Sequence, residues 1–390
     1  MTVSAMDIPP TARVTRRSGF TITADGSYAA CLAEVAAPGE DGDADGGWFA
    51  ERWTLSGPEP YAVPLPAERP EDPAAQVVPL PDGRVLISRR AGEAHELALL
   101  YPTGPDTGEL PLGTLTGTAV KLLPPSPQPG TAFALVYEDG STAVVQVHGV
   151  PDGVPRPVVT VPGRCTGGVW LDRTGALLAL DRELDGRTKA VAVDLRTGET
   201  SPLLQITEDS DDRLLLAEPD SGLLLLRSDA TGEARLGWGV LGSRRPVRFP
   251  DALRVDGALL TPVAAQPGQI LMPEASVVAL RAEVPGGAES LALWRPGERR
   301  LYWRASPHGW LGATGLWLPG GELRLPYAAP EWPCGLAAYD PPPVLPEQGD
   351  EDQARWATPR RVGAAARPAA RRRWSVLPLQ QAPLAAAKAG

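Results

Sequence analysis

The 390-residue chain has no asparagine, and only three lysines (Lys121, Lys189 and Lys388) and five isoleucines against 34 arginines. This skew reads as the codon bias of a GC-rich bacterial genome. Its structural consequence is that Asn-Gly turns are unavailable, so Asp-Gly has to serve in tight hairpins. Cysteine is scarce: Cys31, Cys165 and Cys334 lie far apart and are odd in number. No CxxC spacing occurs, which excludes a zinc ribbon or thioredoxin-like motif. The expectation is reduced, buried thiols in a cytoplasmic protein. Histidine is equally scarce, with His95, His148 and His308 scattered and no HExxH, so the spacing specifies no zinc site. No run approaches ~18 apolar residues, so no membrane-spanning helix is expected. Met1–Pro10 lacks an apolar stretch behind a basic start, so no secretory signal is expected.

Glycine (42) and proline (44), by contrast, make up about 22% of the chain, against an ordinary share of roughly 12%. A mostly helical protein cannot carry that load, because proline removes a helical donor and glycine costs backbone entropy. The hydrophobic fraction of 43% is enough for a core and excludes general disorder. The net charge of −10 is uneven. From Gln353 onward the chain carries seven arginines, one lysine and no acid, which leaves −18 for residues 1–352. An acidic body repels nucleic acid, whereas the basic tail attracts it or another acidic surface.

Short alternating or apolar runs recur, each broken by a glycine turn. Examples are Phe20-Thr-Ile-Thr-Ala-Asp-Gly, Val78-Pro-Leu-Pro-Asp-Gly-Arg-Val-Leu-Ile and Leu135-Val-Tyr-Glu-Asp-Gly. Period-two and fully apolar flanks read as strands. The clearest unit runs from Val169 to Leu204 and reads as four antiparallel strands. It is closed by turns at Gly175, Asp185-Gly186 and Arg196-Thr-Gly-Glu. A Thr-Gly-Glu or Pro-Gly-Glu turn is also read at Asp106, Ala230 and Arg295. The turn glycines Gly26, Gly83, Gly140, Gly175, Gly222, Gly257 and Gly321 recur at steps of 35 to 64 residues. Four-stranded units near 40–50 residues apart are the mark of propeller blades.

The run Trp170-Leu-Asp-Arg-Thr-Gly-Ala-Leu-Leu-Ala, followed by Ala192-Val-Asp-Leu-Arg-Thr-Gly-Glu, resembles the WD40-like, TolB-type propeller repeat. That repeat also forms the N-terminal propeller of prolyl-oligopeptidase-like enzymes. The resemblance covers residues 15–340 and implies an all-β β-propeller with seven four-stranded blades, six or eight being the alternatives. A sandwich or several small β domains remain open on the pattern alone. The Gly-His and Trp-Asp dipeptides of true WD40 repeats are absent. No G-x-S-x-G occurs, so the peptidase activity of the resembled enzymes does not carry over. Residues 341–373, rich in proline, alanine and arginine, read as a disordered linker. Residues 374–390 read as a tail in which Trp374–Leu379 could form a closing strand.

Candidate sites are few. Asp41, Asp43 and Asp45 have the D-x-D-x-D-G spacing of a calcium loop, but the twelfth position is Arg52 where a bidentate glutamate belongs. Solvated acids are the favoured reading. Gly237-Trp-Gly-Val-Leu-Gly242 matches GxGxxG, yet Ser-Arg-Arg-Pro follows and starts no helix. A twisted strand packed around Trp238 is expected there. Trp294, Trp303, Trp310, Trp317 and Trp332 read mainly as packing between blades, with an aromatic binding platform as the alternative. The arginines Arg360, Arg361, Arg367, Arg371, Arg372 and Arg373 read as a solvated run, or as a dock for an acidic partner. His308, in a loop entering the last blade, is the histidine placed nearest a central channel. No catalytic, cofactor or metal residue is assigned.

The reading is therefore a monomeric, cytoplasmic, non-catalytic binding or scaffold propeller for a protein, peptide or small ligand. No membrane and no cofactor are expected, and nucleic acid only through the arginine-rich tail. The alternative is a channel-centred hydrolase or lyase of lactonase-like or glycan-cleaving type, built from dispersed carboxylates.

Overall fold

A computed structural model describes residues 2–3, 14–35, 47–104, 106–270, 272–312, 314–343 and 360–361. Asp41, Asp43, Asp45 and Trp374–Leu379 lie outside the described residues. So do Arg367, Arg371, Arg372 and Arg373.

The described residues form strands with short connections and no α-helix. Two single-turn 3-10 helices occur, at Asp251–Leu253 and Pro273–Ala275. After β1 (Thr2–Val3), the first meander comprises β2 (Val14–Ile22), β3 (Tyr28–Val35), β4 (Gly47–Thr54) and β5 (Tyr61–Leu65). The second comprises β6 (Gln76–Pro79), β7 (Val85–Ala91), β8 (Ala94–Pro102) and β9 (Thr107–Thr116). The third comprises β10 (Ala119–Leu122), β11 (Ala132–Glu138), β12 (Ser141–His148) and β13 (Arg156–Pro162). Next come β14 (Arg164–Trp170), β15 (Leu177–Leu184), β16 (Arg187–Asp194) and β17 (Thr200–Leu204). They are followed by β18 (Asp212–Glu218), β19 (Leu223–Ser228) and β20 (Arg235–Val240). These two meanders share one seven-stranded sheet through a single parallel pairing, Lys189 with Asp212. Another follows in β21 (Leu259–Ala265), β22 (Val278–Glu283), β23 (Ser290–Trp294) and β24 (Tyr302–Ala305). The last holds β25 (Leu316–Trp317), β26 (Leu323–Ala329), β27 (Trp332–Tyr339) and β28 (Arg360–Arg361).

Local chemistry explains the hairpins. Among the described residues, the non-glycines at positive φ are Asp139 (48°) and Asp185 (52°), each preceding a glycine at 75°. Two successive positive φ values make the turn whose twist matches its flanking strands. Asp-Gly thus does the work of the missing Asn-Gly. All seven glycines read as turns have positive φ, but they do not mark one structural position. Gly26, Gly83, Gly175, Gly222 and Gly321 join the first strand of a meander to the second. Gly140 joins the second strand to the third, and Gly257 precedes a first strand. The equivalent first turns there hold Gly130 and Gly268, also at positive φ. With them substituted, the steps narrow to between 45 and 57 residues. The Asp106-Thr-Gly-Glu turn is also corrected: Gly108 lies inside β9, paired across to Tyr101, and the turn precedes Asp106.

The core is divided among the faces of neighbouring meanders. One cluster joins Leu32 and Leu65 of the first meander to Val85 and Leu100 of the second. Others join the second to the third and the third to the fourth. The series continues through Leu204 with Leu224, Leu225 with Leu280, and Leu293 with Leu325. A final cluster closes the ring, bringing Phe20, Cys31 and Trp53 of the first meander against Leu336 of the last. Each fully buried leucine contributes roughly 1.5–3 kcal/mol, so the stability is spread around the ring. First strands also neighbour one another: β2 lies against β6, β6 against β10, β14 against β18, β18 against β21, and β21 against β25. First strands around a common axis, with meanders radiating outward, make this a β-propeller.

Candidate functional site

Most buried charges are bound to a partner, some within one meander and some across the junction between two. Glu51 accepts bonds from Arg17 Nε (2.6 Å), Arg17 Nη2 (3.0 Å) and Trp53 Nε1 (2.8 Å) at the ring closure. Arg89 joins Glu71 (2.8 Å) and Glu109 (2.6 Å). Asp212 is fully buried and accepts from Lys189 Nζ (2.8 Å), Ser228 Oγ (2.6 Å), Ser210 Oγ (2.9 Å) and the Ile206 N–H (3.0 Å). Burial pushes the Asp212 carboxyl up, but these donors outweigh it and hold the pKa below the ordinary value. These carboxylates are occupied.

Asp181 is different. It lies on β15, a strand that is otherwise apolar where it packs, and it is buried. Its Oδ1 accepts the Leu214 N–H of β18 at 2.9 Å, while Oδ2 meets no hydrogen-bond donor among the described residues. Opposite it, β14 bulges: Thr166 pairs with Asp181, and the next pairing is Val169 with Ala179. Two residues, Gly167 (φ 79°) and Gly168 (φ 112°), stand opposite the single Leu180. A Cβ on Gly167 would stand 3.1 Å from Asp181 Oδ2, and one on Gly168 would stand 2.5 Å from a Leu123 methyl. Gly167 therefore makes room for the carboxyl and Gly168 for the Leu123 side chain, in a bulge of the kind found beside functional groups. Burial raises the Asp181 pKa to about 6. The Leu214 N–H and the cations of Arg213 and Lys121 pull it down without cancelling that effect. Lys121, Asp181 and Arg213 come from three successive meanders, the lysine and arginine on the first strands β10 and β18. Arg213 is oriented by its bond from Nη2 to Thr188 Oγ1 (3.0 Å). The cluster thus offers two donors of positive charge and a carboxyl that changes protonation near neutrality.

The residues singled out from sequence are not brought together. His95 is on β8, His148 ends β12, and His308 is exposed in the connection before β25. Burial lowers the first two, helped by the Arg90 and Arg84 cations respectively. The tryptophans divide: Trp294 and Trp317 are buried between meanders, whereas Trp303 on the outermost strand β24 and Trp332 at the start of β27 are exposed. Gly237 and Gly239 lie within β20 on either side of buried Trp238, in a strand without a phosphate loop. Arg360 and Arg361 pair with Ala338 and Ala337 along the outer edge of β27. Among the described residues no group of three or more histidine, cysteine or acidic side chains is placed to hold a metal. No helix is long and apolar enough to cross a membrane. Asp181 was missed in the sequence, although an acid in Leu177-Leu-Ala-Leu-Asp181, facing a Gly-Gly pair, is a usable signal.

Fold and cluster together define a β-propeller with a polar site beside its first strands. No family model matches the chain, and no curated protein matches it in sequence. Solved structures do share its fold. A puromycin hydrolase is similar over 94% of this chain and 57% of its own length, at 17% identity and a TM-score of 0.54. A Mycobacterium tuberculosis puromycin-hydrolyzing peptidase is similar over 87% and 55%, at 15% identity and 0.50. TolB from Acinetobacter baumannii is similar over 81% and 78%, at 12% identity and 0.42. The chain spans little more than half the length of the two hydrolases. The likeness is to TolB-type propellers and to the propeller part of prolyl-oligopeptidase-like proteins, and at these identities it speaks for fold alone.

Proposed function

We propose that this protein is a non-catalytic, seven-bladed binding or scaffold propeller. In this reading Lys121, Arg213 and Asp181 anchor a polar group of a ligand or partner beside the channel. The carrying observation is the division of labour among buried carboxylates. Glu71 and Asp212 are taken up where meanders meet and Glu51 within the first meander, whereas Asp181 keeps one oxygen without a hydrogen-bond donor among the described residues and feels the Arg213 and Lys121 cations. The count of seven treats the two meanders of the largest sheet as separate blades, in keeping with the seven interface clusters. The free cysteines support a reducing, cytoplasmic setting.

A second reading, a channel-centred hydrolase or lyase, is favoured by one observation: a carboxyl with a pKa of about 6 is suited to general acid–base work. One experiment separates the two. Wild-type protein and Asp181→Asn are assayed on chromogenic esters, glycosides and aliphatic lactones. The binding reading expects the same background from both. A robust wild-type rate that Asp181→Asn abolishes would overturn it in favour of catalysis.

A further inference from the structure

We infer that the cavity between β19–β20 and β21 binds a monocarboxylate bearing a short aliphatic group. The cavity measures about 240 Å³ and is lined by Arg227, Arg235 and Arg254 together with Leu236, Val255 and Leu259. It lies on the face formed by the β19–β20 turn and the connection into β21, at a different junction from the Asp181 cluster. The failure of either proposal therefore leaves the other standing.

Arg227 carries the argument. It is half-buried at the end of β19 and donates from Nη2 to the Leu260 carbonyl at 2.8 Å. No carboxylate among the described residues forms an ion pair with it, and burial alone lowers its pKa. Its neighbours are already neutralised: Arg235 by Asp251 at 2.9 Å, and Arg254 by Glu233 at 3.1 Å. The cavity thus holds one uncommitted guanidinium. A structural role does not require that charge. At the junction of the second and third meanders a neutral amide serves the same purpose, Gln76 Nε2 donating to the Val120 carbonyl at 3.0 Å. Withdrawing an unpaired cation from water is costly, and a carboxylate in the guanidinium fork offsets that cost through two parallel, charge-assisted bonds. Asp256 also lines the cavity, while Glu233 is taken up by Arg254, so a dianion such as phosphate is repelled more than a single charge. Val255 and Leu259, which stay accessible in a mainly polar lining, can meet a short aliphatic stem.

Free acids and peptide C-termini share this chemistry. The test is calorimetric titration with N-acetyl-L-leucine, N-acetyl-L-leucinamide, Gly-Gly-Leu and inorganic phosphate. The acid is expected to bind at least tenfold tighter than the amide, equivalent to about 1.4 kcal/mol, and phosphate is not expected to compete with it. Arg227→Gln is expected to weaken the acid at least tenfold and leave the amide unchanged. Tighter binding of Gly-Gly-Leu assigns the site to peptide C-termini, and weaker binding assigns it to free acids. Equal binding of acid and amide, effective competition by phosphate, or no saturation by the acid at about 10 mM overturns the inference. The comparison of acid with amide on wild-type protein stands whether or not Arg227→Gln folds.

Discussion

At the scale of single residues, Asp181 makes the sharpest claim on pH. Its folded pKa of about 6 exceeds the ordinary 3.8, so between these values the folded state binds more protons than the unfolded state. Stability then falls as pH rises through this window, by up to about 3 kcal/mol once ionisation is complete. Asp181→Asn keeps an acceptor for the Leu214 N–H and removes the titration. It is expected to be more stable than wild type at pH 8, with the difference fading below pH 4, as read from urea midpoints across that range. The thiols give a second residue-scale test. Burial pushes Cys31 well above its ordinary pKa and Cys334 up to about 12, with the Glu51 carboxylate adding to both. Because the thiolate is the reactive form, a thiol reagent at pH 8 should leave these two cysteines unmodified until denaturant is added. Rapid labelling in the folded state would contradict their placement.

Elements were legible wherever one residue type had to meet a local demand. The turn glycines and the two Asp-Gly pairs were found because positive φ excludes most other residues. The strand–turn pattern from Val169 to Leu204 reappears as β14 to β17. What stayed hidden was position within the repeat. Gly140 and Gly257 satisfy the same local rule as Gly83 but serve other connections, and only pairing over a distance distinguishes them. Asp181 was hidden for a related reason: its bond to Leu214 spans 33 residues, and nothing in either strand announces the other. Junctions between elements can be tested through Asp212, which ties β18 to Lys189 of β16. Asp212→Ala removes the acceptor of four donors and leaves the lysine unpaired. It should cost about 3–5 kcal/mol, measured by equilibrium unfolding. A loss below about 1 kcal/mol would show that the network does not hold these meanders together.

At the scale of the whole molecule, the closing cluster decides how the protein unfolds. Leu336 of β27 packs with Phe20 and Trp53 of the first meander, so a cavity there weakens the ring and not merely its last sheet. Leu336→Ala should lower the unfolding free energy of the entire protein by about 2–5 kcal/mol, in one transition. Leu99→Ala, in the cluster between the second and third meanders, should do the same. A separate early transition in Leu336→Ala alone would mean an open ring whose last sheet melts independently.

The proposed site at Asp181, which draws on three meanders, is tested most directly by the titration of that carboxyl. Carboxyl carbon resonances can be followed in protein labelled at aspartate, with Asp181→Asn giving the assignment. The expected result is a midpoint near pH 6 in wild type that moves higher in Lys121→Met and in Arg213→Met, since both cations hold it down. A midpoint near the ordinary 3.8, unmoved by either substitution, would contradict the site.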